Sequence, residues 1–248
     1  MNFKDRAERN FLTLAINRYP GRGLVLGMDE TGKYLIQAYW IMGRSENSRN
    51  RIFVCEDGRE LKTKAADPDK VEDPSLIIYT AMNDDSCNFV VSNGHQTNPV
   101  LSYCDSFFGV GSLIEDNDWE YKYEPDAPNY TPRITGAITI DAEKPFAEIL
   151  ILKKSPFSMA CEKQLFRYND FHPGIGHCVT TYAGDGDPLP SFEGEPYLLP
   201  LNGSITNIAK ELWATLDEEN KVSLAVKFIN IENGETSVEI INKYEAVG

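Results

Sequence analysis

The chain has 248 residues, 42% of them apolar, and its 38 acidic against 24 basic side chains give a formal net charge of −14. It is too apolar to be disordered and long enough to bury a substantial core as one domain. The acidic excess argues against nucleic acid as a partner, which needs a broad basic surface, but leaves room for a local pocket that holds a small anion.

Five cysteines (Cys55, Cys87, Cys104, Cys161 and Cys178) are odd in number and form no Cys-x-x-Cys pair, the pattern of reduced thiols in a cytoplasmic protein. The N-terminus is charged at once, unlike a signal peptide, and no run reaches the roughly 18 apolar residues of a membrane span. A soluble chain with no membrane partner is therefore expected.

Phe3, Ala7, Phe11, Leu14 and Ala15 recur at helical spacing, predicting an amphipathic helix over 3–17 that stops before Tyr19-Pro20. Residues 1–19 are read as a helical extension and 20–248 as a single domain. Strands are expected over Gly23–Asp29 and Lys33–Trp40, around an Asp-Glu-Thr-Gly turn, then over Arg51–Glu56, Leu76–Asn83 and Phe89–Asn93. Asn98-Pro99 has the polar-cap-then-proline form of a helix start, with the helix running to about Phe108. Strands resume over Arg133–Asp141, Phe146–Lys153 and Gly176–Tyr182, and another helix is expected over Ser204–Thr215. The last two strands, Val222–Ile229 and Ser237–Asn242, flank an Asn233-Gly234 turn. Strand pairs separated by single helices predict an α+β fold of antiparallel sheets covered by helices. Two long loops, 112–130 and 183–200, are both acidic and read as solvated surface, with a lid over a site as the alternative.

Arg44, Arg49 and Arg51 fall together in one polar loop, interleaved with Ser45, Asn47, Ser48 and Asn50. A guanidinium forks two N–H donors onto one anion, so this loop is a candidate phosphate site; a solvated loop with scattered salt bridges is the alternative. His95, His172 and His177 are not spaced as metal ligands, and no P-loop, dinucleotide fingerprint or nucleophile elbow is present. Polar residues also gather where strands end: Tyr79, the Ser92-Asn93-Gly94-His95 run, and Arg133.

Taken in order, Gly21-Arg22-Gly23-Leu24, Gly43-Arg44-Ser45, Ser48-Arg49-Asn50-Arg51, Tyr79, Val90-Val91-Ser92-Asn93-Gly94 and Thr131-Pro132-Arg133-Ile134 resemble the archaeal-type inosine monophosphate (IMP) cyclohydrolases. The resemblance covers roughly residues 20–200. It implies a four-layer αββα sandwich of the N-terminal nucleophile hydrolase kind and closure of the purine ring of a formamido-imidazole-carboxamide ribotide, giving IMP and water. It implies no metal and no cofactor. The junction Arg18-Tyr19-Pro20-Gly21 offers no freed Ser, Thr or Cys, so ring closure is expected without a covalent intermediate.

On that resemblance, Arg44, Arg49 and Arg51 are assigned to the ribotide phosphate, with Ser45 and Asn50 adding neutral hydrogen bonds. Arg133 or Asn93 polarises the formyl oxygen; Tyr79 and Glu124 are the candidates for proton transfer, with His95 behind them. Two other readings stay open, an amide hydrolase and a non-catalytic nucleotide-binding protein on the same fold. Residues 1–19 and 203–248 are the candidate surfaces of a homo-oligomer.

Overall fold

A computed structural model describes residues 2–71, 73–107, 109–114, 119–140 and 144–246. Phe108 and Asp141, named above as element ends, lie outside them.

Helix α1 (Phe3–Ala15) starts where the Asn2 side chain accepts the Lys4 and Asp5 amides, taking up donors the first turn leaves orphaned. Strands β1 (Gly23–Met28) and β2 (Tyr34–Met42) follow. The Asp29 carboxylate pins the turn between them by accepting the Thr31, Lys33 and Tyr34 amides. A single helical turn, α2 (Glu46–Arg49), interrupts the arginine loop, closed by a reciprocal Ser45–Ser48 capping box. Next come β3 (Ile52–Cys55), β4 (Leu61–Lys64), β5 (Thr80–Asp84), β6 (Asn88–Ser92) and α3 (Thr97–Phe107). The second half holds β7 (Arg133–Thr139), β8 (Phe146–Lys154), β9 (Cys161–Tyr168), β10 (Ile175–Thr180) and β11 (Tyr197–Pro200). Helix α4 (Ile205–Thr215), β12 (Lys221–Asn230) and β13 (Thr236–Asn242) close the chain.

The strands form two antiparallel sheets, ordered β11-β10-β1-β2-β12-β13 and β3-β4-β5-β6-β7-β8-β9. Side chains alternate across a strand, so each sheet has two faces to cover. Leu24, Leu26, Tyr39 and Ile41 of the first sheet meet Val91, Ile134, Ile149 and Ile151 of the second in a core between them. The opposite face of the first sheet, with Val25, Ile36, Ala38 and Trp40, packs on Leu14 of α1 and on Ile208, Ala209 and Leu212 of α4. The outer face of the second, with Val90, Ala137 and Leu150, packs on Val100 and Cys104 of α3. The layers therefore run helix, sheet, sheet, helix: the expected α+β sandwich of antiparallel sheets.

Besides the helical turn α2 in the arginine loop, four stretches differ from the sequence expectation. Leu76–Asn83 is a strand only from Thr80; before it, the Ile77 and Ile78 amides turn back onto the Pro74 carbonyl. Strands β4, β9 and β11 were not expected. β9 is polar and half-buried at a sheet edge, without the apolar alternation that marks a strand. β11 is an edge strand of four residues ending in proline, inside the stretch read as a long loop. Among the described residues no helix is long and apolar enough to cross a membrane, and no cluster of His, Cys, Asp or Glu could hold a metal ion.

Candidate active site

One end of the two sheets opens into a cleft of about 350 Å³, lined by Arg22, Arg44, Ser45, Arg51, Glu124, Thr131 and Tyr182 among others. Arg22 enters just ahead of β1. Its guanidinium is buried and donates to Glu124 Oε2 at 2.9 Å and to the Asn93 carbonyl at 3.3 Å. Burial opposes the Arg22 cation, but the Glu124 carboxylate and nearby tyrosines more than offset it and hold its pKa well above the ordinary value. Glu124 is itself buried, and its Oε1 lies 3.9 Å from Arg133 Nη1. One carboxylate thus stands between two guanidiniums.

Arg133 is the first residue of β7, and its Nη1 donates to Gln96 Oε1 at 3.0 Å. Burial and the repulsion of Arg22 push its pKa down against the pull of Glu124. Gly94 makes the approach possible: a Cβ there would lie 2.3 Å from Arg133 Nη1.

On the opposite wall, Arg51 is 3% exposed. Its Nε donates to the Ser48 carbonyl at 2.7 Å and its Nη2 to the Met42 carbonyl at 3.1 Å, and no described carboxylate pairs with it. Burial pulls its pKa down. Arg44, half exposed, lies over the Tyr19 ring at 5.0 Å and donates to Asp185 Oδ1 at 2.9 Å. Tyr19 in turn stacks on Tyr182 at 5.9 Å. Burial raises the Tyr19 phenol and pushes that of Tyr182 up to about 12. Both acidic loops reach the cleft: the first supplies Glu124, Asp126 and Asn129, with Thr131 just after it, and the second Leu189, whose amide donates to Asn129 Oδ1 at 3.0 Å.

Of the residues singled out in the sequence, the cleft brings together Arg44, Ser45, Arg51 and Glu124, with Arg133 beside Glu124. Arg49 and Asn50 turn the other way. Arg49 donates to the Gly43 carbonyl and Asn220, Asn50 ties the loop to Asp67, and both line a separate depression. Asn93 lies behind the wall, donating to the Pro132 carbonyl and accepting from the Ile134 amide and Gln96. Tyr79 sits beneath the cleft in the inter-sheet core, its hydroxyl 2.8 Å from that of Tyr39, within electrostatic range of Arg22 and Arg51. His95 is exposed; its Nε2 lies 2.7 Å from the Ser75 carbonyl and so carries the proton.

Sequence reasoning gave no role to Arg22, Tyr19, Thr131 or Tyr182. The Gly21-Arg22-Gly23 run was a usable signal for Arg22, since glycines on both sides let backbone and rings pack close to a single side chain. For Tyr182 no local signal exists, because β10 brings it to the cleft from far along the chain.

Comparison with curated proteins finds no match. Comparison with protein families matches residues 19–234 to a family described as IMP cyclohydrolase-like protein. That span holds every cleft residue named above and most of both sheets, and IMP cyclohydrolase activity on a purine ribotide is the function it supports. The chain belongs to the IMP cyclohydrolase-like family.

Proposed function

We propose that this cleft closes the purine ring, with Arg51 and Arg44 holding the ribotide phosphate and the Arg22–Glu124–Arg133 group handling the reacting atoms. The observation that carries the reading is Arg51. A buried guanidinium without a carboxylate is costly, and an anionic ligand supplies the missing counter-charge. Arg44 is half-exposed, and its bonds to the Asp185 carboxylate and the Gly186 carbonyl lie at the surface, weak contacts that a phosphate dianion displaces. Ser45 and Ser48 stand beside them, their hydroxyls closing the capping box that shapes this wall. Arg49 and Asn50 shape the loop from behind.

The carboxamide nitrogen attacks the formyl carbon of the same molecule, the formyl oxygen becomes a hydroxyl, and water leaves. Both groups already share a ring, so the protein's task is to select the rotamer that brings them together and to move protons. Glu124 Oε2 is bound to Arg22, whereas Oε1 meets Arg133 only at 3.9 Å and is free to accept the carboxamide proton. Arg133 gives one N–H to Gln96, and its remaining donors stabilise the developing oxyanion. Asn93 positions Arg22 and the start of β7, and Tyr79 supports the cleft floor. The scheme needs neither a metal nor a covalent intermediate, because no second reactant has to be activated.

Steady-state assay of Glu124→Gln tests it. General acid–base roles contribute on the order of 10²–10⁴ in rate, so kcat falls by about 100-fold or more while KM moves far less. Undiminished kcat in a folded variant removes Glu124 from the chemistry.

A further inference from the structure

Tyr182, Thr131 and Asp126 all line the cleft and form one hydrogen-bonded chain. Its polarity follows from counting protons. The Asp126 carboxylate accepts the Thr131 amide on Oδ1 at 2.7 Å and the Thr131 hydroxyl on Oδ2. A threonine hydroxyl has one proton, and that proton goes to Asp126. In the Tyr182–Thr131 contact the phenol must therefore donate and the threonine oxygen accept.

Tyr182 has no rotational freedom with which to escape this arrangement. Its ring stacks on Tyr19, its amide bonds the Pro20 carbonyl, and Gly21 lies so close, at φ +73°, that a Cβ there would be 2.5 Å from the ring. Thr131 is fully buried, so water does not compete for its hydroxyl. The phenol proton is committed to the protein, so toward the cleft that Tyr182 lines its oxygen has only lone pairs to offer.

We infer that Tyr182 is a specificity-determining residue that accepts a hydrogen bond from a donor on the bound ribotide, an O–H of the sugar or an N–H of the heterocycle. Thr131 and Asp126 are positioning residues that fix its polarity. A ligand presenting an acceptor at that point meets lone pair against lone pair and is rejected. The inference rests on the nucleotide reading of the cleft and adds to it a rule for which nucleotides fit.

Calorimetric titration tests it with IMP and three analogues, each lacking one donor: 2′-deoxy, 3′-deoxy and N1-methyl. One analogue binds the wild-type protein about three- to tenfold more weakly than IMP, the size of one neutral hydrogen bond. Tyr182→Phe binds IMP more weakly by the same factor and binds that analogue as the wild type does. Thr131→Val leaves the phenol in place but frees its proton, and it erodes the same discrimination without a uniform loss across the four ligands. A common loss for all four in both variants, or unchanged discrimination in Tyr182→Phe, overturns the inference alone. Failure of the wild-type protein to bind IMP overturns the nucleotide reading and the inference with it.

Discussion

Arg22 and Arg51 are both buried and face the same cleft, yet among the described residues only Arg22 has a carboxylate partner. The difference predicts opposite consequences for stability and binding. Arg51→Met removes an uncompensated buried charge, so Tm is not lowered. It also removes charge-assisted hydrogen bonds worth about 1.5–3 kcal/mol to an anion, so affinity for IMP falls by about tenfold or more. Thermal melts and titrations on one variant check both halves. Gly94→Ala separates site from scaffold in another way. The new Cβ meets the flexible end of Arg133, not backbone, so Tm changes little while kcat drops as the guanidinium shifts. A Tm loss with intact kcat contradicts the placement of Arg133. At this scale the sequence was partly legible. Clustered arginines in an acidic chain pointed to Arg44 and Arg51, which line the cleft. The same clustering could not say that Arg49 and Asn50 face away, because the single turn of α2 that rotates them is set by the Ser45–Ser48 caps.

Among the elements, those with strong local signals were legible: α1 and the strands through the core from apolar spacing, the β1–β2 hairpin from its turn residues, and α3 from its Asn98-Pro99 start. What escaped were segments whose structure depends on a neighbour. β9 is an edge strand held by pairing with β8, and the apolar Leu76-Ile77-Ile78 run is a turn beside the cleft, not a strand. The β1–β10 pairing carries the cleft's far wall and depends on close strand approach at Gly27. A Cβ there would lie 2.4 Å from the Ile175 carbonyl oxygen and 2.5 Å from Gly176 Cα. Backbone cannot swing aside as a side chain does, so Gly27→Ala lowers stability by about 1–3 kcal/mol, the usual range for overpacking. A reduced urea midpoint at unchanged m-value is the expected result; an unchanged midpoint contradicts the close approach.

For the molecule as a whole, the sandwich buries groups that would carry charge if exposed. His177, on β10, is stacked at 3.6 Å on Tyr168 of β9, its Nδ1 has no described partner, and burial lowers its pKa from 6.5 to about 4. The unfolded chain takes up a proton near 6.5 and the folded chain only near 4, so between these values the unfolded state binds more protons. Stability from this group is intact above about pH 6.5 and is lost as pH falls toward 4, by up to about 3 kcal/mol. His177→Phe keeps the stack and removes the titration, so its Tm declines less between pH 7 and 4.5 than that of the wild type. Parallel declines show that His177 is not the group responsible.

On the proposed reading, this scaffold closes a purine ring with side chains alone. The most direct measurement is the ultraviolet absorbance of purified protein mixed with the formamido-imidazole-carboxamide ribotide in the presence of a metal chelator. Steady appearance of the IMP chromophore is expected, unaffected by chelator and slowed about 100-fold or more in Glu124→Gln. Absence of the chromophore from a folded protein that still binds IMP, or activity that disappears with chelator, contradicts it.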